Sequence, residues 1–251
     1  MSGLMRRCGD AHGEAPSIGR RRFIALTGSA VTTALLGCDS FGPDRLQPLL
    51  RAAERGNERL ERGLFRHRAE DRVPDGARLT GVSYPKYFVS DHVPMWDEAT
   101  RGVWRLEVSG AVRTPLKLSV SDLLALPRTR QRVDHFCVEG WTARAEWMGT
   151  RVSDLARAAG ITAEAHYVDF QSFDADYHES WDLESAMHPQ TLVAYAMDGR
   201  FLGVGHGAPA RVHSPVKLGY KNTKYLTKVV FLPQRNGGYW SDRGYEWYGG
   251  T

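Results

Sequence analysis

Apolar residues fall into two regimes along this chain. From about residue 77 onward, short apolar runs are separated by turn residues, and several alternate with a period of two. Val103 to Val112 alternates as a strand, and Ser119 or Ser121 is placed to cap a short helix carrying Leu123, Leu124 and Leu126. Arg132 to Val138 reads as a strand ending at Cys137, and Val152 to Ala159 as a helix closed by Gly160. His166 to Phe173, Thr191 to Met197 and Tyr225 to Leu232 read as further strands. Strands dominate and helices are short, which predicts an α+β fold; no GxGxxG or Walker-type loop points to a nucleotide fold.

The N-terminal third follows other rules. Gly19-Arg20-Arg21-Arg22-Phe23-Ile24 leads into a mildly apolar run to Leu36, too short and too rich in small residues to remain as a membrane span. It matches a twin-arginine export signal. Leu35-Leu36-Gly37-Cys38 follows at once and resembles a lipoprotein cleavage box, although Leu36 is larger than the usual small residue there. Acyl chains on Cys38 would make it a membrane tether, not a redox thiol. From Arg45 to Arg72, Arg and Glu alternate among scattered leucines, a solvated helical spacer that Gly56 and Gly63 should weaken. Val73-Pro74-Asp75-Gly76 marks the change to the folded body. The expected organisation is a signal over 1–37, a tether and spacer over 38–76, and one catalytic domain over 77–251. The expected location is outside the cytoplasm, at the membrane. The twin-arginine route carries folded proteins, so a cofactor inserted before export is expected.

Charge changes little. The formal net charge is +4, but Arg6, Arg7, Arg20, Arg21 and Arg22 against Asp10 and Glu14 give +3 in the leader, leaving 28 basic and 27 acidic residues beyond it. A nearly neutral body has no basic stripe to displace counterions from a phosphate backbone, which excludes nucleic acid as the expected partner. The three cysteines are Cys8, Cys38 and Cys137, so only Cys137 lies in the folded body and no disulfide can form within it. A lone thiol in an oxidising compartment calls for ligation or catalysis, against the plainer reading of a packed thiol. At the end of a strand, in Phe136-Cys137-Val138-Glu139-Gly140-Trp141, its thiolate would suit a soft metal.

Five segments, in order, resemble the molybdopterin-binding domain of the sulfite oxidase superfamily. They are Tyr87 to Pro94, Trp104 to Gly110, Cys137 to Trp141, Leu192 to Gly199 with His206 to Arg211, and Lys217 to Leu226. Gly238 to Trp247 also looks like the C-terminal tail of exported bacterial members. The resemblance implies mixed sheets with short helices and molybdopterin carrying molybdenum as cofactor. It also implies Cys137 as the metal ligand and Tyr195 near the metal. Arg211 and Lys224, with the backbone of Asn222 and Thr223, are then the candidates for the pterin phosphate. His206, Ser172 and the loop with Phe88, Val89, Ser90 and His92 are the candidates for the pterin rings.

The resemblance also implies oxygen-atom transfer to or from a small substrate. Ser90-Asp91-His92 stands where sulfite oxidases have Arg-Asn-His, and Glu139-Gly140-Trp141 where they have Asn-Arg-Arg. Without those cations a small dianion such as sulfite is a poor expectation. The chain looks closer to the branch with the periplasmic methionine-sulfoxide reductase catalytic subunit, whose substrate is neutral, and Trp141, Trp147 and Tyr177 would suit a less polar pocket. With no CxxCH in the chain, electrons should pass through a separate haem or cytochrome partner. Two other readings stand beside this one. One is a cysteine hydrolase using Cys137 with His135, His166 or His206; the other is a cofactor-free lipoprotein scaffold of the same fold.

Overall fold

The computed structural model describes residues 43–64 and 84–251. The leader, Cys8, Cys38 and the expected boundary at Val73 to Gly76 therefore lie outside the described residues. The chain divides into two units, residues 1–57 and 58–251.

Of the first unit, the described part is helix α1, Pro43–Leu64, whose last turns belong to the second unit. The helix runs through both Gly56 and Gly63 without a break. Each glycine costs about 1 kcal/mol in a helix interior. Support comes near the C-terminal end, where Arg62 donates to Glu58 one turn back at 2.7 Å. Among the described residues no helix is long and apolar enough to cross a membrane.

The second unit holds two sheets, one mixed and one antiparallel. The first has the strand order β2 (Leu116–Leu118), β1 (Leu106–Gly110), β10 (Leu226–Leu232), β5 (Tyr167–Ser172), β6 (His178–Asp182). Its β1–β10 pair is parallel, and its other pairs are antiparallel. The second runs β3 (Thr129–Phe136), β4 (Thr142–Arg151), β7 (Leu192–Met197), β8 (Arg200–Phe201), with β9 (Arg211–His213) also paired to β7. The short helices are α2 (Glu98–Arg101), α3 (Val120–Ala125), α4 (Val152–Ala159) and α5 (Leu183–Ala186). Ser119 caps α3 in a reciprocal box with Asp122, and Gly160 ends α4 in the left-handed region at φ 65°.

Strand β7 separates two cores, because alternate side chains leave a strand on opposite faces. Val193 and Tyr195 join the larger cluster with Leu106, Val168, Phe170, Trp181 and Phe231. Leu192 and Ala194 join a smaller one with Val133, Ala145, Trp147 and Leu202, against which Tyr84 packs. Each large side chain fully withdrawn from water contributes about 1.5–3 kcal/mol. The larger cluster carries most of the stability, and Tyr84, packed against the smaller one, lines the cleft described next.

Candidate active site

A cleft of about 340 Å³ opens between the β3–β4 hairpin, the segment Tyr84–Val89, the turn after β5 and the stretch Gly219–Tyr225. Cys137 stands on its wall. It lies one residue beyond β3, in a tight turn where its N–H donates to Trp141 O and its carbonyl accepts from Gly140 N, both at 3.0 Å. Gly140 sits at φ 86°, so the turn needs a residue without Cβ. Gly140→Ala is expected to cost about 1 kcal/mol of stability and to loosen the thiol's position; denaturant unfolding and metal content of the purified protein check this.

The thiol itself is half-buried, and burial pushes it up from its ordinary value. Its one side-chain polar neighbour is the Glu139 carboxylate, at 3.9 Å. A nucleophilic cysteine needs a base and a lowered pKa. His135 supplies neither: burial, then Arg211 and Lys224, hold it down to about 3, and its Nδ1 has no partner. His206, held down to about 4, and His166 are both outside the lining, so the hydrolase reading lacks its machinery among the described residues. Among the described residues no three His, Cys, Asp or Glu side chains are grouped to hold a metal either. A metal at Cys137 would have to arrive with most of its ligands.

Arg211, which is buried, and Lys224, which is half-buried, share this cleft. Arg211, 3% exposed, donates only to the carbonyls of Val212, His206 and Asn222, each at 3.3 Å, and its guanidinium lies 5.1 Å from the Trp147 ring centre. Lys224 donates to Gly205 O at 3.2 Å, and burial, then Arg211, push it down to about 7. Among the described residues no carboxylate within 4 Å neutralises either cation. By contrast, Lys217 is paired with Asp182 at 3.0 Å and Lys221 with Glu179 at 2.6 Å. A buried charge without a counter-charge costs several kcal/mol, so this arrangement is made for an anion. Around it, Tyr84 Oη, His135 Nδ1, His206 Nδ1, Thr223 Oγ1 and Tyr225 Oη are buried without a hydrogen-bond partner. One soft ligand, two unneutralised cations and a set of unpaired polar groups fit a molybdopterin: metal, phosphate and polar pterin rings, respectively.

The sequence candidates are distributed unevenly over this site. Cys137, Phe88, Val89, Ser172, Arg211, Asn222 and Lys224 line the cleft. Ser90 and Val89 donate their backbone N–H groups to Asp174, which latches the loop to the turn after β5. His206 lies behind the lining, edge-on to Tyr84 at 5.7 Å. The backbone amides of Asn222 and Thr223, expected at the phosphate, donate instead to Gly219 O and Lys221 O. The Asn222 side chain is also committed, to Ser214 N and to the carbonyls of Lys217 and Leu218, so Thr223 Oγ1 is the group left unpaired there. His92 is exposed and outside the lining. Tyr195 is buried in the larger core, on the face of β7 opposite the cluster that Tyr84 packs against.

Of the aromatic residues expected at the pocket, Trp141 and Tyr177 line it while Trp147 is buried behind it, and further lining residues were not singled out by the sequence. Tyr84, Asp174 and Tyr220 line the cleft, as do Trp240 and Tyr245 from the C-terminal tail. The tail is fastened by Glu179, which is fully buried, accepts from Trp240 N at 2.8 Å and Ser241 Oγ at 3.0 Å, and is paired with Lys221. Tyr177 donates through its hydroxyl to Tyr220 O, and Tyr220 through its own to Glu246 O, tying the tail to the same wall. The tail's resemblance to exported members was the available signal.

Burial also sets a pH dependence. Burial, then Arg211, Lys224 and Lys86, hold His206 down to about 4, and burial, then His135 and Arg211, hold His213 well below the ordinary 6.5. Both are neutral when folded and take up protons on unfolding in mild acid, so the unfolded state binds more protons and stability falls as pH drops below 6.5. The cofactor-free protein should lose melting temperature from about pH 7 to pH 5, and His213→Phe should reduce that slope. An unchanged slope in the variant would assign the effect to other groups.

A site of this composition defines a molybdopterin-binding oxidoreductase. Residues 92–240, more than half of the chain, match the family model described as oxidoreductase molybdopterin binding domain. The chain belongs to that family, within the sulfite oxidase superfamily. It is 34% identical over 232 residues to the putative protein-methionine-sulfoxide reductase subunit YedZ1 of Azospira oryzae, covering 92% of this chain and 86% of that one. It is 33% identical to the uncharacterized oxidoreductase YuiH of Bacillus subtilis, over 71% of this chain and 88% of that one. The protein-methionine-sulfoxide reductase catalytic subunit MsrP of Campylobacter jejuni is 31% identical over 58% of this chain, which spans 54% of that protein. Among solved structures, the sulfane dehydrogenase SoxCD of Paracoccus pantotrophus is similar with a TM-score of 0.50 and 25% identity, over 52% of this chain and 38% of that one. The α+β fold with mixed sheets and the molybdopterin cofactor expected from the sequence are those of the family.

Proposed function

We propose that this protein reduces a neutral sulfoxide outside the cytoplasm, with electrons from a separate redox protein, through molybdopterin held by Cys137, Arg211 and Lys224. The observation that carries the substrate class is the chemistry of the cleft beside Cys137. Tyr87, Trp141, Tyr177, Trp240 and Tyr245 line it, and among the described residues Arg211 and Lys224 are its only lysine or arginine residues. The pterin phosphate would take up both cations, leaving aromatic surface for substrate; a dianion would find no free positive charge. Relatives named for methionine-sulfoxide reduction support the same class.

When bound, the cofactor supplies two-electron redox chemistry and an open metal position for oxygen transfer. The chain's own residues do the rest. Cys137 is the metal ligand, set by the Gly140 turn. Arg211 and Lys224 bind phosphate. Tyr84, Tyr225, Thr223 and His206 offer their unpaired groups to the pterin, and the aromatic residues hold the substrate and exclude water. Reduction of a sulfoxide consumes two electrons and two protons and releases the sulfide and water, so a one-electron or two-electron donor must dock nearby. Export by the twin-arginine route and a lipid on Cys38 would place that exchange at the outer face of a membrane.

The test is steady-state assay of the molybdenum-loaded protein with reduced viologen and methionine sulfoxide or dimethyl sulfoxide, beside sulfite with a cytochrome acceptor. Sulfoxide turnover with negligible sulfite oxidation is expected. Sulfite oxidation as the faster reaction would overturn the substrate class, and well-folded protein that carries neither molybdenum nor pterin when made in a competent host would return the scaffold reading.

A further inference from the structure

The β3–β4 hairpin carries three carboxylates, and two are paired on the hairpin itself: Asp134 with Arg144 at 2.6 Å and Glu146 with Arg130 at 2.7 Å. The third, Glu139, lies in the turn between the strands, exposed at the cleft wall, and among the described residues no lysine or arginine pairs with it. Its partners are Trp141 Nε1, which donates at 3.0 Å, and the Tyr87 hydroxyl, which bonding to Glu139 pushes up from its ordinary value. The Tyr87 and Trp141 rings stack 6.1 Å apart at 24°. The other charges lining the cleft are Arg211, Lys224 and Asp174. The phosphate takes up the first two in the reading above, and Asp174, 4% exposed, is held by Val89 N at 2.8 Å, Ser90 N at 3.1 Å and the Ser90 hydroxyl. Among the described residues Glu139 is the charge left to face a substrate, and its carboxylate stands 3.9 Å from Cys137 Sγ.

We infer that Glu139 sets the charge preference of the site: it selects a sulfoxide whose molecule carries a positive charge close to the S–O group and turns away one carrying a carboxylate there. The inference rests on the proposed sulfoxide chemistry and concerns the rest of the molecule, since the sulfoxide group itself is neutral. A carboxylate with no cation beside it attracts an ammonium and repels an anion, and at an exposed wall that effect is modest and screened by salt. Tyr87 and Trp141 act in the same direction, since aromatic faces attract cations. Neither ring supplies a counter-charge, so their bonds hold the carboxylate in place and leave its charge intact.

The experiment uses full-length, molybdenum-loaded protein and methyl sulfoxides with a three-carbon chain ending in an ammonium, a neutral acetamide or a carboxylate. Their kcat/KM values are measured with reduced viologen, and the affinities of the matching sulfones, which carry the same charges and are not turned over, by calorimetry. The cationic sulfoxide is expected to exceed the anionic one about tenfold in kcat/KM at low salt, through KM, with the same order in sulfone affinity. The ratio should shrink in about 0.5 M salt. Glu139→Gln, which can still accept from Trp141, should bring it to within about twofold, and Glu139→Lys should invert it. A merely structural role for Glu139 would lower all three substrates together and leave the ratio where it was. A parent ratio near one, or the parent ratio retained in Glu139→Gln, would overturn the inference while sulfoxide reduction stands. Absence of turnover with all three sulfoxides and of binding by every sulfone would remove the proposed function, and this inference with it.

Discussion

Cys137→Ser is expected to abolish sulfoxide reduction, by well over about 100-fold, while leaving the fold and the pterin in place. Changes to groups that merely support a metal ligand already cost about 10–100-fold in affinity or activity, and replacing the ligand removes more. A serine hydroxyl is a hard donor that stays protonated at neutral pH and does not replace thiolate on a soft metal. The fold should not respond, because Cys137 is held by backbone bonds to Trp141 and from Gly140, and its sulfur has only a 3.9 Å contact with Glu139. The melting temperature of the cofactor-free variant should therefore match that of its parent. The pterin should remain, since Arg211 and Lys224, not the thiol, hold its phosphate in this reading. Metal analysis, pterin fluorescence after oxidation and steady-state turnover on one preparation separate the possibilities. Activity within a few-fold of the parent would remove Cys137 from the metal, and activity kept by the cofactor-free parent but lost in the cofactor-free variant would revive a metal-independent thiol enzyme.

Elements with local signals were legible to within a residue or two. Helix α4 needed only its apolar spacing and Gly160, and α3 only Ser119 ahead of a leucine run; β5, β7 and β10 are apolar runs ended by turn residues. Strand β6 was not legible, because it buries Glu179, Ser180 and Asp182 along with Trp181. Those carboxylates go inside because Lys221 and Lys217, about 40 residues later, come in with them, and no hydrophobic period can announce a pairing of that kind. Strand β4 alternates correctly, but its buried positions include Ala143 and Ala145, too small to stand out between Arg144 and Glu146. The continuity of α1 through two glycines was missed for a related reason, since the ion pairs of Glu58 and Arg62 are not visible in helix propensity.

The site divides the same way. Cys137, Arg211 and Lys224 were picked out by the order of the segments that resemble the family, and the structure brings the three to one cleft. Tyr84 was missed because its significance is an unpaired hydroxyl among Trp141, Trp147, His135 and His206, a property of three distant segments meeting. Tyr195 was expected near the metal, yet strand alternation decides its side: with Ala194 facing the cluster around Trp147, Tyr195 faces the other core. Asp174 is reached by Val89 across 85 positions of sequence, so the latch of the opening loop could not be read from the loop itself.

Arg211→Met should have opposite effects on the two forms of the protein, raising the stability of the cofactor-free chain and weakening its hold on the cofactor. Without an anion the guanidinium is buried with no carboxylate, and its three bonds to carbonyls are 3.3 Å long, beyond the usual 2.9–3.0 Å and correspondingly weak. Stacking on Trp147 returns part of the desolvation cost, about 1–2 kcal/mol. Replacing a buried ionic group by an apolar side chain of similar volume is commonly neutral or stabilising by about 1–4 kcal/mol, and here no partner carboxylate would be left stranded. A higher melting temperature is therefore expected for the variant purified from a host unable to make molybdopterin. With the cofactor the sign reverses: charge-assisted bonds to phosphate contribute about 1.5–3 kcal/mol, so retention should fall by about 10- to 100-fold. Because a ligand that binds only the folded state adds stability in proportion to its occupancy, the gap between cofactor-loaded and cofactor-free melting temperatures should shrink. A variant that melts lower in both forms and keeps its pterin through dialysis would make Arg211 a structural strut, leaving Lys224 as the anion's remaining cation.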